Sequence, residues 1–300
     1  MFLTILTPTY NRKDKLTKLY TSLCKQTNKD FVWLIVDDGS TDCTDDLVNK
    51  FNKEKRIHIK YYWKVNGGKH TALNEGIFKV QTPLVFVVDS DDWLVDEAVE
   101  QIFQVHKKFD NFKEICGYSF MRMFSNGMVN GKCLKSDCVV DDYINIRING
   151  NDINSDKAEV WKIENLREYP FPEFYSEKFL GEDTVWIQMA MKYKMVFLNI
   201  PIYFSDYLND GLTKNRRKNN IQSPNGCLFR AYISLTACKS RKIKFIFFLK
   251  VLLQYQVYGK FAHKSFYELY KNSIYKGWFL VTSPGAYGLY AYWNRKYPNE

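Results

Sequence analysis

The 300-residue sequence has no run of 18 or more uncharged apolar residues, so a bilayer-crossing helix is not expected. Its seven cysteines are scattered without a C-x-x-C pair, which suits reduced thiols in a cytosol better than a disulfide framework. The first six residues lack a basic segment and a small-residue cleavage site, so a secretory signal is not expected either. The most telling shortage is of acid in the last 87 residues, which hold 16 Lys and Arg against 2 Asp and Glu. That segment carries +14 and the other 213 residues carry −4, the pattern of an anion-facing tail on an ordinary soluble domain. The anion left open is nucleic acid, phospholipid or a substrate phosphate. With 46% hydrophobic and 25% charged residues, the chain can bury a full core and is not a disordered tail.

The first ninety residues alternate regularly. Short β-branched and apolar runs at 2–8, 31–36, 57–63 and 84–88 predict strands. Between them, apolar residues at helical spacing, such as Leu16, Leu19, Tyr20 and Leu23, predict helices over 14–23, 45–51 and 71–80. The β-α-β-α-β-α-β order predicts a parallel sheet covered by helices, with ligands at the C-terminal strand edges. Polar clusters fall at those edges: Thr7-Pro8-Thr9-Tyr10-Asn11-Arg12, Asp37-Asp38-Gly39-Ser40 and Asp89-Ser90-Asp91-Asp92. Three strand ends thus aim polar side chains at one crevice. Residues 115–180 carry the turn signals Asn126-Gly127, Asn130-Gly131 and Asn149-Gly150 and predict mixed strands and loops. A helix is predicted from about Gly181 to Lys192, and a boundary near 215–224.

Two carboxylates spaced as Asp89 and Asp91 suit a hard divalent cation that keeps positions open for phosphate oxygens. An EF-hand loop is excluded, because Trp93 occupies a ligand position. The competing reading of the same residues is helix capping, and Asp37 to Asp42 can likewise be read as a turn and N-cap.

Taken together, these motifs resemble the nucleotide-sugar-dependent glycosyltransferases of family 2, with Asn66-Gly67-Gly68-Lys69 to Asn74-Glu75-Gly76 and Gly181-Glu182-Asp183 completing the match over roughly 210 residues. The resemblance implies an α/β GT-A fold, a Rossmann-like and mostly parallel sheet flanked by helices, with a C-terminal helical, basic-aromatic extension. It divides the chain into a catalytic domain at 1–215, its donor half about 1–115 and its acceptor half about 116–215, and a membrane-associating region at 216–300. It implies inverting sugar transfer from a UDP-sugar to a glycan or a lipid-linked saccharide, with Mn²⁺ or Mg²⁺ as cofactor. In that reading Tyr10 lies against uracil, Asp38 accepts from its imide N–H, and Arg12 approaches the diphosphate. Pro8, Gly68, Lys69, Asn74 and Ser90 line the donor site, with His70 nearby. Asp89 serves the ribose or the metal, Asp91 ligates the metal, and Asp183 is the general base with Glu182 as competitor. The alternative for the last pair is simple stabilisation of a helix N-terminus. Many relatives place a metal-binding His after the base; here the only later histidine is His263, within the basic tail.

The tail is aromatic as well as basic. Residues 245–253 form an apolar run broken only by Lys250, with Arg241, Lys242 and Lys244 before it and Tyr and Trp residues after it. Such helices suit the headgroup level of an anionic bilayer, or else pack as a helical subdomain. The expected location is cytoplasmic, peripheral to the inner face of the plasma membrane. The resemblance to enzymes of capsule or cell-surface polysaccharide synthesis fits that place. Nucleic acid is not an expected partner, and a homo-oligomer is allowed. A sugar nucleotidyltransferase would want a Gly-rich loop with Arg and Lys after the first strand, which Tyr10-Asn11-Arg12 does not supply. A non-catalytic membrane or nucleic-acid binder would leave the acidic crevice unexplained.

Overall fold

A computed structural model describes residues 1–153, 155–206 and 216–298. The chain forms two compact units, one of Met1–Pro170 with Lys192–Asp206 and one of Phe171–Met191 with Tyr207–Glu300. The boundary expected at 215/216 touches 207–215, outside the described residues. The packing also groups Phe171–Met191, and with them Glu182 and Asp183, with the C-terminal helices rather than with the sheet.

The first unit is built on one mixed sheet. Its strands are β1 (Leu3–Thr9), β2 (Phe31–Asp37), β3 (His58–Trp63), β4 (Leu84–Val87), β5 (Trp93–Leu94), β6 (Ile115–Met123), β7 (Cys138–Asp141), β8 (Lys157–Lys162) and β9 (Lys194–Phe204). They run in the order β3-β2-β1-β4-β8-β6-β9-β5, with β7 also paired to β9. The four N-terminal strands are parallel, as the repeating strand-helix order predicts. β8 inserts antiparallel between β4 and β6.

β1 and β2 are buried at every position, the signature of a sheet covered on both faces. The covering helices include α1 (Lys13–Lys25), α2 (Thr44–Glu54), α3 (Lys69–Lys79), α4 (Ala98–Phe109) and the short α5 (Ile163–Arg167). On α1 the residues at helical spacing, Leu16, Leu19, Tyr20 and Leu23, are buried, together with Ser22 and Cys24. Tyr20 stacks on Phe51 of α2 at 3.9 Å, and both rings lie beside Trp33 of β2.

The second unit is helical: α6 (Asp183–Ala190), α7 (Arg216–Gln222), α8 (Pro224–Ser240), α9 (Phe245–Phe261), α10 (Phe266–Asn272) and α11 (Lys276–Lys296). It has apolar cores of its own. Leu235, Leu252, Tyr255 and Phe279 belong to one, and Val257, Tyr258, Phe261 and Trp293 to another. The aromatic tail therefore folds upon itself, and among the described residues no helix is long and apolar enough to cross a membrane.

Candidate functional site

In the first unit the strand order reverses between β1 and β4, because β2 and β3 lie on one side of β1 while β4 lies on the other. Ligands of open α/β sheets bind at such a point, beyond the C-terminal strand ends. The loops there are tied together by hydrogen bonds. The Asp38 amide donates to the Thr9 carbonyl at 2.8 Å. The Asn11 amide donates to Ser40 Oγ at 2.9 Å, and the Thr41 amide returns a bond to Asn11 Oδ1 at 2.8 Å. Tyr10 projects from this junction with 48% of its surface exposed.

Asp38 is 3% exposed and its carboxylate is fully occupied. Oδ1 accepts from Lys64 Nζ at 2.8 Å and the Gly67 amide at 2.9 Å, while Oδ2 accepts from Asn66 Nδ2 at 3.0 Å and the Gly68 amide at 2.7 Å. Four donors fill the lone-pair sites of a carboxylate. Asp38 thus holds the loop after β3 in place, and accepting a further N–H requires one donor to leave. Of the four, only Lys64 reaches Asp38 on a long side chain, and its ammonium also donates to Thr71 Oγ1 and the Val65 carbonyl. Gly68 adopts φ +97° as its amide turns toward Asp38, a backbone region closed to most L-residues.

The loop after β4 brings three carboxylates together with two cations. Lys69, at the start of α3, pairs with Asp89 Oδ1 at 2.5 Å. Arg122 of β6 lies 3.9 Å from Asp89 Oδ2 and 3.5 Å from Asp92 Oδ2. Burial raises the Asp89 carboxyl pKa, but the charges of Lys69 and Arg122 outweigh it and hold it below the usual range. Asp92 is deeper; burial first and the Asp89 charge second push its carboxyl up to about 8.

Tyr203 of β9, fully buried, links the two ends of the loop. Its hydroxyl donates to Asp92 Oδ2 at 2.7 Å and accepts from the Asp89 amide at 3.0 Å. The Arg122 guanidinium lies 4.0 Å from the Tyr203 ring centre and donates through Nε to the Lys157 carbonyl at 2.7 Å. Sequence reasoning missed Lys64, Arg122 and Tyr203. The one available signal was a charge at position 122 inside an otherwise apolar strand.

Asp91 is different. Among the described residues it makes no ion pair, and burial followed by the Asp89 charge raises its pKa. A partly buried carboxylate beside another, with Arg12 and Lys69 within electrostatic range but no ion pair among the described residues, is a fitting oxygen donor for Mg²⁺ or Mn²⁺. Among the described residues no group of three or more His, Cys, Asp or Glu forms a metal cage. One or two carboxylates completed by phosphate oxygens are the usual arrangement for Mg²⁺.

The remaining donor-site candidates occupy the same edge. Pro8 is buried within β1 opposite Val36, Arg12 precedes α1, and Ser90 is buried between Asp89 and Asp91. His70 and Asn74 lie on α3, His70 buried.

In the second unit, Asp183 opens α6, with Glu182 at its N-cap. Arg230 of α8 donates to Asp183 Oδ2 through Nε at 3.0 Å and through Nη2 at 2.5 Å. Both bonds fall on one oxygen and leave Oδ1 without a protein partner among the described residues. Gly181 protects that opening, since a Cβ there would sit 2.7 Å from Oδ1. Arg230 also escaped sequence reasoning, because 47 residues and no motif connect it to Asp183.

Comparison with known proteins gives these geometries a context. Residues 4–123 match the Glycosyl transferase family 2 model. The chain is 33% identical over 119 residues to the teichuronic acid biosynthesis glycosyltransferase TuaG of Bacillus subtilis, whose assignment is itself putative, covering 39% of this chain and 46% of that one. It is 33% identical over 102 residues to glycosyltransferase GlyA of Streptococcus pneumoniae, covering 34% of this chain. The chain thus spans 14% of GlyA and under half of TuaG. It is 25% identical over 224 residues to the Campylobacter jejuni GalNAc(5)-diNAcBac-PP-undecaprenol beta-1,3-glucosyltransferase, covering 72% of this chain and 69% of that one. Its fold matches S. aureus TarS 1-349 in complex with UDP-GlcNAc with a TM-score of 0.62 at 16% identity, covering 99% of this chain and 91% of that one. Residues 4–123 thus carry the family 2 glycosyltransferase pattern, and the chain has the GT-A fold.

Proposed function

We propose that the protein is an inverting glycosyltransferase of cell-surface polysaccharide synthesis, moving a sugar from a UDP-sugar to a glycan or polyprenyl-diphosphate-linked acceptor. The observation that carries this reading is the convergence of the loops after β1, β2, β3 and β4 around Asp89 and Asp91, inside the family-matched segment. The TarS complex with UDP-GlcNAc and the undecaprenol-linked substrate in the name of the Campylobacter relative support the two substrate classes.

In the donor site Tyr10 offers an exposed ring on which a base can stack. Asp38 presents its carboxylate to uracil when Lys64 swings away, and that ammonium then faces the diphosphate together with Arg12 and Lys69. Asp91, joined by Asp89, would hold Mg²⁺ or Mn²⁺. Such an ion supplies Lewis-acid stabilisation of the charge that develops on the departing diphosphate. Arg122 and Tyr203 position the carboxylates. On the acceptor side Asp183 removes the proton of the attacking hydroxyl through Oδ1, while Arg230 fixes Oδ2. Direct attack on an α-linked donor gives a β-linkage.

The protein works at an anionic membrane surface. The first turns of α9 and α11 meet where Phe245 contacts Trp278 at 5.3 Å. Around them Ile246 is 73% and Val281 70% exposed, with Lys242, Lys244 and Lys276 close in sequence. Each basic residue near such a surface contributes about 1 kcal/mol.

Screening a panel of nucleotide sugars for UDP release, with and without Mn²⁺, tests the reading. Metal-stimulated release from at least one UDP-sugar is expected; no release from any of them with acceptor lipid extract present would overturn it.

A further inference from the structure

The second unit gathers more positive charge than Asp183 needs. Arg230 answers its carboxylate. Arg217 of α7 is held in place by the Tyr258 hydroxyl at 3.2 Å and by the Trp293 ring at 3.8 Å. Asn220, also on α7, donates to the same hydroxyl at 3.1 Å. A tyrosine on α9 thus fixes α7 beside α8 and α9. Lys250, two turns before Tyr258 on α9, interacts electrostatically with Arg216, Arg230, Arg217 and Asp183, and Glu177 lies in the same neighbourhood, acting on Cys227 together with Arg230, Asp183 and Arg216. Desolvation first, and those three cations next, lower the Lys250 pKa. Arg216 and Lys250 are exposed and make no ion pair among the described residues. Like charges within range of one another repel, so packing that sets four cations against Asp183 and Glu177, the latter already bonded to Asn225 and the Gly226 amide, leaves an excess of positive charge that stabilises an anion arriving from solution.

We propose that Arg216, Arg217 and Lys250, with Arg230 behind them, form a phosphate-binding subsite beside Asp183 that holds the phosphate or diphosphate group of the acceptor. The anchored guanidinium of Arg217 offers a planar fork suited to phosphate oxygens, and Lys250 adds a point charge. Acceptors carrying phosphate near the reactive hydroxyl are thereby selected over neutral glycans. Calling the anion part of the acceptor rests on the reading of Asp183 given above, whereas the anion binding itself does not.

The test is calorimetric titration of the full-length protein with inorganic pyrophosphate in saturating UDP, which blocks the donor site. A separate UDP titration scores the donor reading independently. Saturable pyrophosphate binding is expected, weakened at least tenfold in Arg216→Gln/Lys250→Gln. In the charge-matched control Lys239→Gln/Lys271→Gln it should be unchanged. Farnesyl diphosphate and a glycerol-phosphate oligomer, run in parallel, tell a lipid diphosphate from a phosphodiester polymer by which binds tighter. Absence of pyrophosphate binding in saturating UDP, or equal affinity in both double variants, would overturn the subsite.

Discussion

The two units treat carboxylates in opposite ways. In the sheet unit three aspartates crowd onto one loop, where Lys69 and Arg122 pair with Asp89 and Asp92, and Asp91 makes no ion pair among the described residues. In the helical unit Asp183 and Glu177 are outnumbered by Arg216, Arg217, Arg230 and Lys250. The first arrangement invites a cation, and the second invites an anion. The reaction proposed above, from a nucleotide-sugar donor to a phosphate-bearing acceptor, would use both. The comparison teaches that the sign of the residual charge, rather than the presence of acidic residues, separates the two sites, in line with the donor and acceptor roles proposed for them.

The sharpest way to break this comparison is Asp183→Asn. On the proposed role this removes the general base and lowers kcat by about 10²–10⁴-fold, with UDP affinity unchanged. Wild-type turnover in that variant would move the base elsewhere, Glu182 first. Gly181→Ala is the gentler form of the same experiment. The added methyl displaces Oδ1 and lowers kcat by about tenfold, with little change in Tm.

Next in size is Tyr203→Phe, which keeps the ring against Arg122 but removes the hydroxyl joining the Asp89 amide to Asp92. Outer-shell partners of this kind are worth roughly 10–100-fold in metal affinity or activity. The expected result is a higher Mn²⁺ requirement for UDP release, and an unchanged requirement would reduce Tyr203 to core packing.

The smallest effect concerns pH. The folded pKa of Asp92, near 8, lies above its unfolded value. Its contribution to stability is full below the unfolded pKa of about 4 and is lost as pH rises to 8, because the unfolded chain then releases a proton that the folded chain retains. In Asp92→Asn the Tm relative to wild type should rise between pH 5 and pH 8. Parallel Tm profiles would show that Arg122 keeps Asp92 ionised throughout.

How far these features were legible depends on how local their cause is. The four parallel strands and their helices follow from short apolar runs and helical spacing, and all lie within a few residues of the expected positions. The crevice was equally readable, since each of its loops is a contiguous motif at a strand end. Its support was not. Arg122 and Tyr203 reach the 89–92 loop because β8 inserts between β4 and β6, and β9 pairs alongside β6, an order that no local pattern encodes. Lys64 was hidden for another reason: a lysine after an aromatic strand reads as a solvated end until the Asp38 carboxylate is seen beside it. The grouping of residues 171–191 with the C-terminal helices is likewise a tertiary fact, made by contacts such as Asp183 with Arg230 and the Gly226 amide with Glu177.

The central claim is that the strand ends carrying Tyr10, Asp38 and Asp91 enclose a metal-assisted uridine diphosphate site. Calorimetric titration of wild type and Asp91→Asn with UDP and GDP, each with and without Mn²⁺, addresses it directly. The account predicts that Mn²⁺ tightens UDP binding in wild type, that GDP binds at least tenfold more weakly, and that Asp91→Asn abolishes the metal effect. Equal affinity for UDP and GDP, or a metal effect that survives in Asp91→Asn, would contradict it.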